Sequence, residues 1–281
     1  MVVLGILLCL FGGLLIYWNI PYSPQKSAFI KKMNEKVSQT KQAEGVCTKA
    51  EIEKLPEAMQ RYCAYVGLEN APKYNAIRVE FKDTKFVFDD NSGKMLDMDY
   101  DLWLLQEEWY RSAYCTSSMY GIPFEGQDYC TDDKQGGMKG TIAKAIQIFD
   151  VHDEDGYRAG LISWLIEGIT LNPSTLLSPY ITYEEIDNQH VKATICYNGV
   201  SGTGIITVNE EGALTEFYSD ERQMEEIDGV KTQIGWRCEI EWNTPKEGVQ
   251  QQPQVIRCIK KYPNKEVVYF DADDYTVTYL K

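Results

Sequence analysis

The run L-D-M-D-Y-D-L-W-L, residues 96–104, alternates along its length: Leu96, Met98, Tyr100, Leu102 and Leu104 share one side of an extended chain, and Asp97, Asp99 and Asp101 share the other. One dry face and one wet face mark a strand of an antiparallel sheet, since strands of a doubly wound parallel sheet are covered on both faces. Just upstream, Asp90, Asn91, Ser92 and Gly93 supply a connecting turn. Before that turn Val79 and Phe81, then Phe86 and Phe88, alternate with polar neighbours across a second expected turn near Asp83 and Thr84.

The same rhythm continues downstream. Strands are predicted at 108–118, 121–129, 143–151, 190–197, 204–209, 213–219, 230–242, 254–262, 266–271 and 275–280, with Val230, Thr232, Ile234, Trp236, Cys238, Ile240 and Trp242 in one register. Between the two groups of strands, residues 157–168 carry a helical face of Tyr157, Leu161, Trp164, Leu165 and Gly168. A short helical turn is expected from Asn172, with Pro173 in its first position. Upstream of the strands, residues 49–66 read as two short helices or one kinked helix. Thr48 and Glu51 have capping-box spacing, Met59, Tyr62, Cys63 and Val66 lie on one face, and Gly67 is a stop. The fold class is α+β, mostly antiparallel β, in a single domain over residues 49–281.

The first 25 residues hold no charged side chain, and residues 2–20 are almost wholly apolar, long enough to cross a bilayer core of roughly 30 Å. Tyr17 and Trp18 close the run with headgroup-level rings, and Pro21 and Pro24 end the helix. A secretory signal needs a basic leader and a small-residue cleavage site, and neither precedes Lys26. Residues 1–25 therefore read as an uncleaved single-pass anchor, with the membrane as partner through residues 2–20. A basic juxtamembrane helix or linker follows over residues 26–48.

Charge is divided unevenly. Lys26, Lys31, Lys32, Lys36, Lys41 and Lys49 against Glu35 and Glu44 give residues 26–49 a net charge of +4, which leaves −18 of the total −14 on the rest of the chain. An acidic body repels phosphate backbones, so nucleic acid is not an expected partner.

No motif carries recognisable chemistry. Residues 150–156, D-V-H-D-E-D-G, lack a carboxylate at Val151 and the closing glutamate at Ile162 that a calcium loop requires, and read instead as an acidic turn leading into a helix. The glycine-rich stretch of residues 198–204 fails as a nucleophile elbow at Thr203 and as a dinucleotide fingerprint at Thr207, and reads as a turn between strands. His152 and His190 have no ligand-spaced or triad partners, and the eight cysteines show no zinc spacing or disulfide framework. No cofactor or metal is expected. Glu167 and Arg222 are the charged residues to watch, because a carboxylate on an apolar helix needs a guanidinium or several amides beside it.

The segments L-P-E-A-M-Q-R-Y (residues 55–62), W-L-I-E-G-I-T-L-N-P-S-T-L-L (residues 164–177), the strand pair leading to Arg222, and the closing E-V-V-Y-F and Y-T-V-T-Y-L resemble an uncharacterised bacterial family of unknown function whose members carry an N-terminal hydrophobic segment. The family's helix acid and following turn fall on Glu167, Pro173, Leu176 and Leu177, while residues 246–253 depart from its pattern. The resemblance implies an architecture similar to the LolA-like lipoprotein carriers: a curved sheet or half-barrel that wraps a few helices and can enclose an acyl chain. It also implies an extracytoplasmic domain, whereas the basic stretch argues for the cytoplasmic side.

Together these observations suggest a membrane-anchored, non-enzymatic binding module for a lipid or other apolar ligand, with Trp103, Trp109, Trp164, Glu167, Arg222 and Trp236 as candidate ligand-binding residues. Two other readings compete with it: a structural or interaction protein of the cell envelope, and an enzyme using Glu167 and Arg222.

Overall fold

A computed structural model describes residues 2–90, 92–119, 121–131, 133–225, 231–245 and 250–280. Two helices lead the chain. α1 (Val2–Asn19) has no buried residue and is long and apolar enough to cross a membrane. α2 (Pro24–Gln39) starts at an N-cap, where the Ser23 side chain accepts from the Lys26 amide and proline fills the first helical position.

α3 (Lys49–Ile52) and α4 (Glu57–Val66) are the two short helices expected from residues 49–66. The capping box of Thr48 and Glu51 is formed, and Gly67 closes α4 in the left-handed conformation.

One antiparallel sheet follows, built as two meanders. The first comprises β1 (Ala76–Asp89), β2 (Lys94–Leu105), β3 (Tyr110–Met119), β4 (Ile122–Cys130), β5 (Gly136–Ile142) and β6 (Ile146–Asp153). α5 (Glu154–Leu171) and a 3-10 turn (Pro173–Leu177) then lead to the second meander. That consists of β7 (Ile181–Glu185), β8 (His190–Tyr197), β9 (Val200–Val208), β10 (Leu214–Glu225), β11 (Lys231–Trp242), β12 (Pro253–Lys261), β13 (Glu266–Ala272) and β14 (Tyr275–Leu280). The meanders join at β1, which pairs with β13 near Phe86 and with β14 from Ala76 to Phe81. The fourteen strands among the described residues curl into a half-barrel with β6 and β7 at its edges.

α5 lies inside the curl, against strands of both meanders. Its buried face carries Leu161, Ile162, Trp164 and Leu165, and these pack with Leu102, Leu104, Ile206 and Phe217 in the main core. Asp153 caps α5 by accepting from the Gly156 amide, so the acidic stretch of residues 150–156 is the end of β6 and the start of this helix.

The structure corrects several expectations. Asp83 and Thr84 form no turn: β1 runs through as one strand, with a register shift between Phe81 and Thr84 and Asp83 at a φ of 47°, which is a bulge. The turn expected over residues 198–204 shrinks to Asn198 and Gly199, both at positive φ, and the remaining residues belong to β9.

Two strands escaped the reading. β5, G-G-M-K-G-T-I, is glycine-rich because its neighbours approach closely: a Cβ on Gly136 would lie 2.6 Å from the Tyr157 nitrogen and Cα on α5, and closer still would be one on Gly137 to the Val151 carbonyl of β6 and one on Gly140 to the Phe149 ring. β7 is a five-residue edge strand with mixed burial. Val230 and residues 246–249 lie outside the described residues.

The aspartate-bearing face of β2 is not wholly wet either. Over part of the first meander that outer face is covered by α2, whose Phe29 and Met33 are buried against Trp103, Leu105, Tyr110 and Tyr114. There Asp101 is also buried, held by two bonds from Arg78 at 2.8 and 2.9 Å.

Candidate functional site

The turns after β1, β3 and β5 lie at one end of the first meander, and the tie of Lys260 Nζ to Asp90 at 2.9 Å brings the β12–β13 turn to the same end. α1 arrives here, where Lys144 of the β5–β6 turn donates to the carbonyls of Tyr17, Ile20 and Tyr22 at 2.7–3.2 Å. Toward the opposite end α5 packs across the inside: Trp164 Nε1 donates to Leu105 O at 3.0 Å, and Tyr62 Oη donates to Ile169 O at 3.0 Å.

Between these ends the inner wall carries an apolar cluster of Met98, Cys115 and Phe124, with partly buried Phe86, Phe88, Met138, Phe149 and Phe270 around it. α5 covers the other part of the interior, and where the helix meets the wall stands a group of charged residues.

Arg111 is its centre. The guanidinium donates through Nε and Nη2 to the two carboxylate oxygens of Glu167, at 2.7 and 2.8 Å, through Nη1 to Asp128, and through Nη2 to Tyr100 Oη at 3.1 Å. Its side chain is 5% exposed, whereas those of Glu167 and Asp128 are 22% and 30% exposed, so water reaches both acids. Burial works against the Arg111 cation, but Asp128 and Glu167 outweigh it and raise its pKa above the usual arginine value. At Glu167 burial wins and pushes the pKa up, against the pull of Arg111 and with repulsion from Asp128 adding to the rise.

Arg222 makes no ion pair in this group, although its charge is near enough to Glu167 to pull that pKa down. Its guanidinium lies over the Trp236 ring at 4.2 Å and donates to Ser163 Oγ on α5 at 3.0 Å. Among the described residues no carboxylate lies within ion-pair distance of it. Trp236 Nε1 donates to Tyr269 Oη at 2.9 Å, and Tyr269 meets Phe86 edge to face, so the arginine connects with the apolar wall through two aromatic residues. Cys238 and Cys258 face each other across β11 and β12, with their sulfurs 3.3 Å apart.

Of the residues singled out from sequence, Glu167, Arg222 and Trp236 come together inside the curl. The carboxylate on α5 does meet a guanidinium, but it is that of Arg111. Trp164 lies fully buried in the core. Trp103 is on the outer face beneath α2. Trp109 borders a separate cleft of about 250 Å³, with Tyr110, Tyr157, Tyr197 and Cys130. Arg111, Asp128 and Tyr100 were missed. Each occupies an ordinary alternating strand position, and only the pairing of β2, β3 and β4 sets the three side by side.

The model of a family of unknown function, DUF6544, matches residues 45–272. The chain belongs to this family. No curated protein and no solved structure matches it. The DUF6544 match takes in the interior charged group, the apolar wall and α5, and begins after both α1 and α2.

Proposed function

We propose that this DUF6544 chain is a membrane-tethered, non-catalytic binding module whose half-barrel takes an amphipathic ligand with an anionic head and an apolar tail, such as a lipid or lipid-linked molecule. Arg222 carries the reading. A guanidinium stacked on Trp236, with a hydroxyl as its partner on α5, is poised for a carboxylate or phosphate. The wall of Phe86, Phe88, Phe124, Phe149 and Met138 supplies an apolar surface for the tail. α1 supplies the tether, and a curled sheet around a helix is the architecture that the resemblance drawn from the sequence implied.

Both oxygens of Glu167 accept from Arg111, so its nearest role is the counter-anion that keeps this guanidinium buried, and the binding reading needs no catalytic group from it.

The test is the amphiphile content of the full chain purified in mild detergent, read by mass spectrometry of organic extracts, beside an Arg222→Met variant. Lipid held only around α1 is common to both proteins. A bound anionic amphiphile that falls severalfold in the variant supports the reading, and identical extracts reject it in favour of a structural or interaction protein of the envelope.

A further inference from the structure

The β5–β6 hairpin has the wrong surface for a hairpin in water. Ile146 is 61% exposed and Ile148 48% exposed, and both lie on β6, an edge strand of the sheet. Exposed apolar edge strands are templates for aggregation, and proteins usually cover or charge them. β6 does neither along this stretch, where isoleucines flank an uncharged Gln147. Across the rim, Met95 at the start of β2 is 51% exposed at the same end of the meander. Val46, Ile186 and Ile205 are exposed elsewhere, on other elements, and form no such group with it.

What lies beside the hairpin is decided by Lys144 in its turn. Ala143 and Lys144 both adopt positive φ, 57° and 60°, which turns the chain tightly and directs the ammonium to the end of α1. There it satisfies carbonyls of Tyr17, Ile20 and Tyr22 and lies 5.5 Å from the centre of the Tyr17 ring. A lysine at a helix C-terminus also complements the helix dipole. The turn is thus fastened to the end of the one helix, among the described residues, that is apolar enough to span a membrane.

We propose that Ile146 and Ile148 form a second membrane contact, so that the α1 end of the half-barrel rests on the lipid surface with the β5–β6 hairpin in the headgroup and upper acyl layer. This rests on the reading of α1 as a membrane span. The ring of Tyr17, the exposed Tyr22 and the ammonium of Lys144 have the chemistry of an interfacial belt, in which aromatic rings and snorkelling cations sit at headgroup level. The isoleucines then replace water with acyl chain. A domain fixed in this way presents the rim of its apolar inner wall to the bilayer, which is the geometry that transfer of a lipid between membrane and half-barrel requires.

The experiment uses the full chain in phosphatidylcholine–phosphatidylglycerol nanodiscs, with nitroxide labels read by collision with oxygen, which partitions into lipid, and with a nickel chelate, which stays in water. One protein carries the label at Ile148→Cys, with Cys9 and Cys196 replaced by serine. A second carries it at native Cys9 inside α1, and a third at Ser201→Cys, exposed on β9. The Cys9→Ser, Cys196→Ser chain without a new cysteine supplies the blank. The expected result is an oxygen-to-nickel collision ratio at Ile148→Cys severalfold above that at Ser201→Cys, repeated at Ile146→Cys. A water-like ratio at Ile148→Cys and Ile146→Cys beside a lipid-like ratio at Cys9 overturns the second contact and leaves the anchor standing. A water-like ratio at Cys9 overturns the anchor and the contact together.

Discussion

At the scale of single residues, the balance at Arg111 shows how a buried charge is tolerated. One guanidinium serves two carboxylates and a phenol, so each member of the group satisfies another while the cation itself stays away from water. Removing the cation leaves Glu167 and Asp128 with no compensating charge at that point. Arg111→Met is expected to cost about 3–5 kcal/mol in urea denaturation, the usual result of breaking a buried pair from one side. Adding Glu167→Gln to that variant should recover part of the loss, because one stranded charge is then removed.

Glu51 makes a second, pH-dependent prediction. Bonds from Lys73 Nζ at 2.6 Å and from the Thr48 hydroxyl and amide at 2.7 and 2.9 Å hold its pKa down from 4.5 to about 2. A folded-state pKa below the unfolded one means stability that is fully present above about 4.5 and lost as pH falls through about 2. Thermal melts should therefore show Glu51→Gln less stable than the native chain at pH 7, with the gap closing across that acid range.

At the scale of elements, packing and hydrogen bonding override propensity at β5. Gly136 and Gly137 are poor strand formers, yet their strand is paired on both sides, and neither has room for a side chain: α5 closes over Gly136, and the β6 backbone lies against Gly137. Gly136→Ala should push the helix off the strand and cost about 1–3 kcal/mol, measured by chemical denaturation, as overpacking typically does. α2 shows the converse. Its lysines mark it as basic and juxtamembrane, but the spacing of Phe29 and Met33 four residues apart places both on the sheet's outer face, and the basic side chains occupy the remaining surface.

At the scale of the molecule, the two meanders are not independent units. β1 of the first is flanked by β13 and β14 of the second, and α5 packs on strands of both. Unfolding of residues 49–281 is therefore expected as one cooperative transition, with tryptophan fluorescence and far-ultraviolet circular dichroism coinciding along a denaturant series. Two separated transitions would show that the halves hold together only weakly.

The amino-acid sequence alone determined the architecture's components. Alternation with period two, a single apolar helix between two groups of strands, capping residues and an uncharged leader are local signals, written within a few residues of where they act. They placed most strands, α3, α4, α5 and the membrane-competent α1. Tertiary structure alone decided which residues meet. Arg111, Asp128 and Tyr100 sit on three strands, and the burial of Gly136 depends on a helix that begins many residues later. The exposure of Ile146 and Ile148 depends on β6 being an edge. Register and strand order create these relations by joining positions far apart in the chain, and a periodic pattern does not specify its partner strand.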